Sequence, residues 1–126
     1  MKITICKSKL HRARVTDAHV DYDGSLTIDP ELMELANIYP YEKILVANIN
    51  NGNRFETYAI QGKRGEREIC LNGAAAKLGR VGDIIIILSF GLIKEEEAKD
   101  FKPKFVRLDH DNNVIKNKQG NPFQVG

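Results

Sequence analysis

Five consecutive large aliphatic residues, Ile84-Ile85-Ile86-Ile87-Leu88, constrain this chain more than any other feature. They follow the turn-forming stretch Gly79-Arg80-Val81-Gly82-Asp83 and show no polar alternation. A run of that length and type predicts a central strand covered on both faces. Such a strand needs neighbours, and the chain supplies them. Residues 2–8 and 10–20 are rich in β-branched and alternating positions. Ser25-Leu26-Thr27-Ile28, Glu68-Ile69-Cys70-Leu71 and Phe105-Val106-Arg107-Leu108 read as short strands. Residues 44–49 and 54–60 flank Asn50-Asn51-Gly52-Asn53 and read as a hairpin. Asn51-Gly52 supplies the positive φ angles of its tight turn.

Helical signals are few. Asp29-Pro30-Glu31 opens one helix, with Asp29 as N-cap, Pro30 at the first position and an acid in the first turn. Asn37 ends it. Residues 72–78 form a brief helix or turn, and 94–99 a charged turn or helix. Asp111-Asn112-Asn113 reads as a turn, and the polar tail beyond about residue 116 reads as loose. Many short strands with closely spaced turns favour a mainly β fold closed into a small barrel, because closure removes exposed edges.

The 126 residues are 42% hydrophobic and 29% charged, the balance of one globular domain spanning 1–126. A net charge of +2 argues for neither nucleic acid nor a membrane surface as partner. No apolar run reaches the length of a membrane helix, and Met1–Lys7 lacks the apolar stretch of a secretory signal. Cys6 and Cys70 form no C-x-x-C pair and have no histidines at ligand spacing. The expectations are a cytoplasmic location, no disulfide framework and no metal.

Gly24-Ser25 has one specific chemical potential, although most Gly-Ser pairs are simply turns. The serine hydroxyl can attack the preceding carbonyl and convert an amide into an ester. A glycine there lets the backbone take the geometry this requires. β-Elimination then cuts the chain, and hydrolysis of the resulting dehydroalanine leaves a pyruvoyl ketone. Arg54 and Tyr58 lie four apart on one strand face. Arg54 suits a carboxylate and Tyr58 suits proton donation, or both are ordinary hairpin residues. The basic stretch Lys2, Lys7, Lys9, Arg12, Arg14 is either a solvated face or an anion patch. Asn72-Gly73-Ala74-Ala75-Ala76 combines small residues that permit close backbone approach.

In order and spacing these pieces resemble the pyruvoyl-dependent aspartate 1-decarboxylases over about residues 7–100. The resemblance is carried by Lys9-Leu10-His11-Arg12, Val15-Thr16, Tyr22-x-Gly24-Ser25, Ile28-Asp29, Asn51-Gly52-x-Arg54-Phe55-x-Thr57-Tyr58-Ala59-Ile60, Arg64-Gly65, Asn72-Gly73-Ala74-Ala75-Ala76 and Val81-Gly82-Asp83-Ile84. It implies a closed six-stranded double-psi β-barrel, a homotetramer, and a proenzyme cut into 1–24 and 25–126. It implies decarboxylation of L-aspartate to β-alanine for pantothenate and coenzyme A. The cofactor would be a covalent pyruvoyl group made from Ser25, which forms a Schiff base with the substrate. The resemblance makes Tyr58 the proton donor and gives Thr57 a part in cleavage and substrate contact. It assigns Lys9 and Arg54 to substrate carboxylates, and Gly73, Ala74 and Ala75 to backbone contacts. Asn72, His11 and Tyr22 support the site.

Thr57 and Tyr58 are adjacent, so a regular strand aims them at opposite faces. Both act only if the strand is irregular there or the site lies between subunits, and the subunit-interface site is favoured. Two other readings carry less weight: a barrel that binds polyanions through Lys2–Arg14, and a Ser25 hydrolase using His11 with Asp17 or Asp23. The latter has no G-x-S-x-G elbow.

Overall fold

The computed structural model describes residues 1–124. Among them nine strands join one sheet: β1 (Lys2–Arg14), β2 (Asp17–His19), β3 (Ser25–Ile28), β4 (Lys43–Asn48), β5 (Arg54–Gln61), β6 (Ile69–Asn72), β7 (Ile84–Lys94), β8 (Lys104–Arg107) and β9 (Phe123–Gln124). Their spatial order is β2-β6-β3-β5-β4-β7-β1-β8-β9. The fold is mainly β, as expected. The expected count of six strands is corrected to nine, because β1 pairs with both β7 and β8 and short strands extend each end. The hydrogen-bonded ladder runs from β2 to β9 without closing among the described residues.

The aliphatic run lies in β7, centred between β4 and β1. Its two faces differ. Ile85, Ile87 and Ser89 are buried, whereas Ile84, Ile86 and Leu88 are only half-buried. The expectation of full cover on both faces therefore holds for one face of the chain. The strand also runs six residues past Leu88, and ends with Leu92 72% exposed.

Two irregularities in β1 override simple alternation. The register against β7 shifts between Cys6 and Ser8 and again between Leu10 and Ala13. Arg12 within the second shift has φ 67°. This bulge turns both Leu10 and Ala13 into the core, although they are of opposite parity. Leu26, Ile28, Ile44, Val46, Ile69, Leu71 and Val106 complete the apolar interior.

α1 (Pro30–Leu35) starts as expected, with the Asp29 side chain accepting from Glu31 N. It ends in a Schellman turn: Asn37, at φ 57°, donates to Glu34 O, and Ile38 N donates to Met33 O. α2 (Glu95–Ala98) is the short charged helix. In the β4–β5 hairpin only Gly52 takes a positive φ, +79°, so the turn is not built on two left-handed residues. Asn51 instead uses its side chain, accepting from Asn53 N and donating to Leu78 O.

The tail is more ordered than its polarity implies. Asn117 Oδ1 accepts from the backbone amides of Gln119 and Asn121, which turns the chain so that β9 pairs with β8. Phe123 packs against the core. Residues 125–126 of the tail lie outside the described residues.

Candidate active site

Ser25 opens β3, a strand whose four residues are all buried between antiparallel β6 and parallel β5. Its place in the register is opposite Asn72. Ahead of it, residues 21–24 are exposed. The Gly24–Ser25 bond thus sits where an exposed turn enters the sheet, and Ser25 itself is 2% exposed.

The Ser25 hydroxyl has a defined environment. Asn72 Nδ2 donates to Ser25 Oγ at 3.0 Å and to Thr27 Oγ1 at 2.9 Å. Ser25 Oγ in turn donates to Asp23 O at 3.4 Å. Its hydrogen bonds go to an amide and a carbonyl, not to an imidazole, which removes the arrangement a serine hydrolase requires.

Gly73 holds the turn against this strand. It has φ +65°, and a Cβ there would fall 2.7 Å from Gly24 Cα, Gly24 N and Tyr22 O. Only glycine permits that approach. Gly24 is different: it lies outside the left-handed region, and a Cβ on it would meet nothing within 4 Å. The conformational need for glycine, expected at Gly24, falls on Gly73 in the uncut chain.

A cleft of about 520 Å³ opens beside Ser25. Tyr22, Tyr58 and Asn72 share it with Ser25, so four of the expected site residues come together. Tyr58 is 38% exposed on β5, and Tyr22 stacks on His19 with ring centroids 4.4 Å apart.

The remaining expected residues do not line this cleft within one chain. Arg54 is on the exposed face of β5 that carries Tyr58, but four residues of strand separate them by about 13 Å. Thr57 points to the opposite side of a β5 that pairs regularly with β4. Lys9, in β1, lies over the Phe105 ring at 4.6 Å. His11 is half-buried, and its Nδ1 is buried without a hydrogen-bond partner among the described residues. Burial, then the charges of Arg107, Lys9 and Arg12, push its pKa down and favour the neutral ring. Ala74 and Ala75 follow Gly73 in a 3₁₀ turn (Gly73–Lys77), with Ala74 exposed and Ala75 buried.

Several cleft residues were given no role at this site by the sequence reading: His19, Thr27, Ile60, Glu68 and Cys70, while Asp23 was weighed only as a hydrolase acid. Strand parity was the available signal for Thr27 and Cys70, which stand two residues from Ser25 and Asn72 on the same faces. His19 reaches Cys70 only through the parallel β2–β6 pairing. Cys70, without histidines at ligand spacing in the sequence, has one nearby in the fold. Its thiol is pushed up to about 11 by burial and then by the Asp17 and Glu68 charges.

The fold and site define a mainly β protein with a cleft beside a buried serine that follows a glycine. The profile of the aspartate decarboxylase family matches residues 1–115, and the chain belongs to that family. The aspartate 1-decarboxylase of Thermoanaerobacter pseudethanolicus is 57% identical over 115 residues, covering 91% of this chain and 98% of that protein. The aspartate 1-decarboxylase of Acetivibrio thermocellus is 58% identical over 115 residues, covering 91% of each. That of Desulfitobacterium hafniense is 55% identical over 113 residues, covering 90% and 89%. Among the described residues, no helix is long and apolar enough to cross a membrane.

Proposed function

We propose that this chain is a proenzyme that cuts itself between Gly24 and Ser25 and then decarboxylates L-aspartate to β-alanine. The carrying observation is the pairing of Ser25 with Asn72 at the mouth of the cleft. An amide donor 3.0 Å from the serine oxygen stabilises negative charge that develops there. Gly73 holds the Tyr22–Gly24 backbone beside it.

A pyruvoyl group derived from Ser25 fits this setting, since the position is buried, lines the cleft and stands opposite Asn72 in the ladder. Such a group would supply a ketone that captures an amine and a sink for the electron pair left on the substrate carbon when CO₂ departs. The chain's own residues do the rest. Tyr58 lines the cleft, and its phenol delivers the proton to the substrate carbon. Tyr22 and Asn72 shape the wall and keep the substrate oriented.

A dicarboxylate needs fixed cations, and the cleft of one chain brings in neither Lys9 nor Arg54. We place them, with His11, Thr57, Ala74 and Ala75, at a site shared between the subunits of a homotetramer. The half-buried face of β7, with Leu92 exposed beyond it, is apolar surface that such an assembly covers. Closure of the sheet into a double-psi barrel belongs to the same reading. Its support is the mixture of parallel β3–β5 and β1–β8 pairs with antiparallel ones around a single core. So does a cytoplasmic place supplying β-alanine for pantothenate and coenzyme A.

Intact mass after prolonged incubation tests the reading. The expected products are chains of 24 and 102 residues, the larger blocked at its N-terminus by a keto group, with Ser25→Ala abolishing both cutting and turnover. A fully active chain that retains an unmodified Ser25 overturns it.

A further inference from the structure

We propose that Asp17, His19 and Cys70 form a binding site for a divalent cation of borderline softness, with zinc as the reference case. The site is independent of what Ser25 becomes, and it is created by strand pairing. β2 runs parallel to β6 with Asp17 opposite Cys70 and His19 opposite Asn72. Asp17 and His19, two apart, project to one side of β2. One carboxylate oxygen, one imidazole nitrogen and the thiol sulfur lie within 4.8 Å of one another.

The distances suit a small metal after modest adjustment. Tetrahedral zinc, with bonds of about 2.0–2.3 Å, holds its donors roughly 3.3–3.8 Å apart. His19 Nε2 is 2.8 Å from Asp17 Oδ2, so that contact opens slightly while the widest pair closes by about 1 Å. The two ligands that must move are the more exposed ones: the side chains of His19 and Asp17 are 37% and 50% exposed. Cys70 is 2% exposed and packed in β6, which gives the cation a fixed anchor.

The donor set determines which metals fit. One oxygen, one nitrogen and one sulfur select zinc-like cations over magnesium or calcium, which take all-oxygen shells. On binding, the Cys70 thiol proton leaves to solvent and the sulfur lone pair goes to the metal. His19 binds as the neutral ring through Nε2, with its proton on Nδ1. Asp17 and the thiolate then contribute two negative charges against the cation's two positive ones. Cys70 Sγ gives up its hydrogen bond to Asn72 Oδ1, now 3.3 Å long. The fourth position opens toward the cleft that His19 and Cys70 help to line, where Glu68 or water can occupy it.

The test uses the full chain and cobalt(II) alone as a coloured probe. Titration is expected to give a near-ultraviolet thiolate-to-cobalt band that saturates at about one metal per chain and is removed by zinc. Cys70→Ser should abolish the band. His19→Ala, at a half-buried position outside the apolar core, should weaken binding at least about tenfold. Cys6→Ser, at the other thiol, should change nothing. The proposal is overturned if the unaltered chain gives no such band at millimolar cobalt, if the band survives Cys70→Ser, or if only Cys6→Ser removes it.

Discussion

Asn72 faces Ser25 directly across the antiparallel β3–β6 ladder, and its side-chain amide donates to the serine oxygen at 3.0 Å while also holding Thr27. The proposed cleavage at Gly24–Ser25 would pass through negatively charged oxygen, and a positioned donor of this kind contributes about 10²–10³ in rate when it meets that charge. Asn72→Ala should therefore slow conversion of the 126-residue chain by about 10²-fold. Time-resolved intact mass measures it; cutting at the unaltered rate would show that the amide serves only to pack the strand.

The contrast between Gly73 and Gly24 gives a second expectation. Alanine at 73 is strained at φ +65° and drives its Cβ into the Gly24 backbone. Gly73→Ala should cost about 1–3 kcal/mol, displace the Tyr22–Gly24 turn and suppress cutting. Gly24→Ala meets open space and should leave the stability of the uncut chain within about 0.5 kcal/mol. Thermal unfolding of the two variants, each combined with Ser25→Ala to hold the chain intact, separates them.

Tyr58 stands in the cleft but does not hold Ser25, whose hydrogen bonds go to Asn72 and Asp23. Tyr58→Phe should leave cutting near its normal rate while lowering kcat by about 10²-fold or more. Loss of cutting instead would mean that the phenol acts in maturation.

Asp29 gives a pH-dependent stability. Burial raises its pKa, but the backbone amides of Gly65, Arg67 and Glu31, with the Arg67 guanidinium, outweigh burial and hold it below the usual carboxylate range. A depressed folded-state pKa stabilises the fold above the unfolded-state value, and that contribution is lost as the pH falls through the folded-state value. Asp29→Asn should cost about 2 kcal/mol at neutral pH, and the difference should shrink in acid. Denaturant unfolding of both chains at neutral and acid pH reads the difference.

The same residue shows how much was legible in the chain. Asp29-Pro30-Glu31 announced a helix start, and the helix is there with its cap. The clamp that Asp29 places on Gly65 and Arg67 was invisible, because those partners are distant in sequence. Gly24-Ser25 and Tyr58 were singled out by residue type and given their roles by the family resemblance, and the fold gathers Ser25 and Tyr58 around one cleft with Tyr22 and Asn72. His19 and Cys70 were passed over for want of a spacing rule, and parallel β2–β6 pairing made them neighbours.

Local chemistry follows from order alone: which residues turn, which cap a helix, which hydroxyl has a glycine before it. These depend on a few adjacent dihedral angles and on the side chains nearby. The sequence therefore determined most element positions and the Gly24–Ser25 pair on which the proposed cleavage rests. Long-range pairing decided the rest. The bulge at Arg12 reversed side-chain parity in β1, the β3–β6 register set Asn72 against Ser25, and the approach of two distant backbone segments made Gly73 irreplaceable. Each of these depends on where strands far apart in the chain come to rest against one core, and that is settled only when the whole sheet packs.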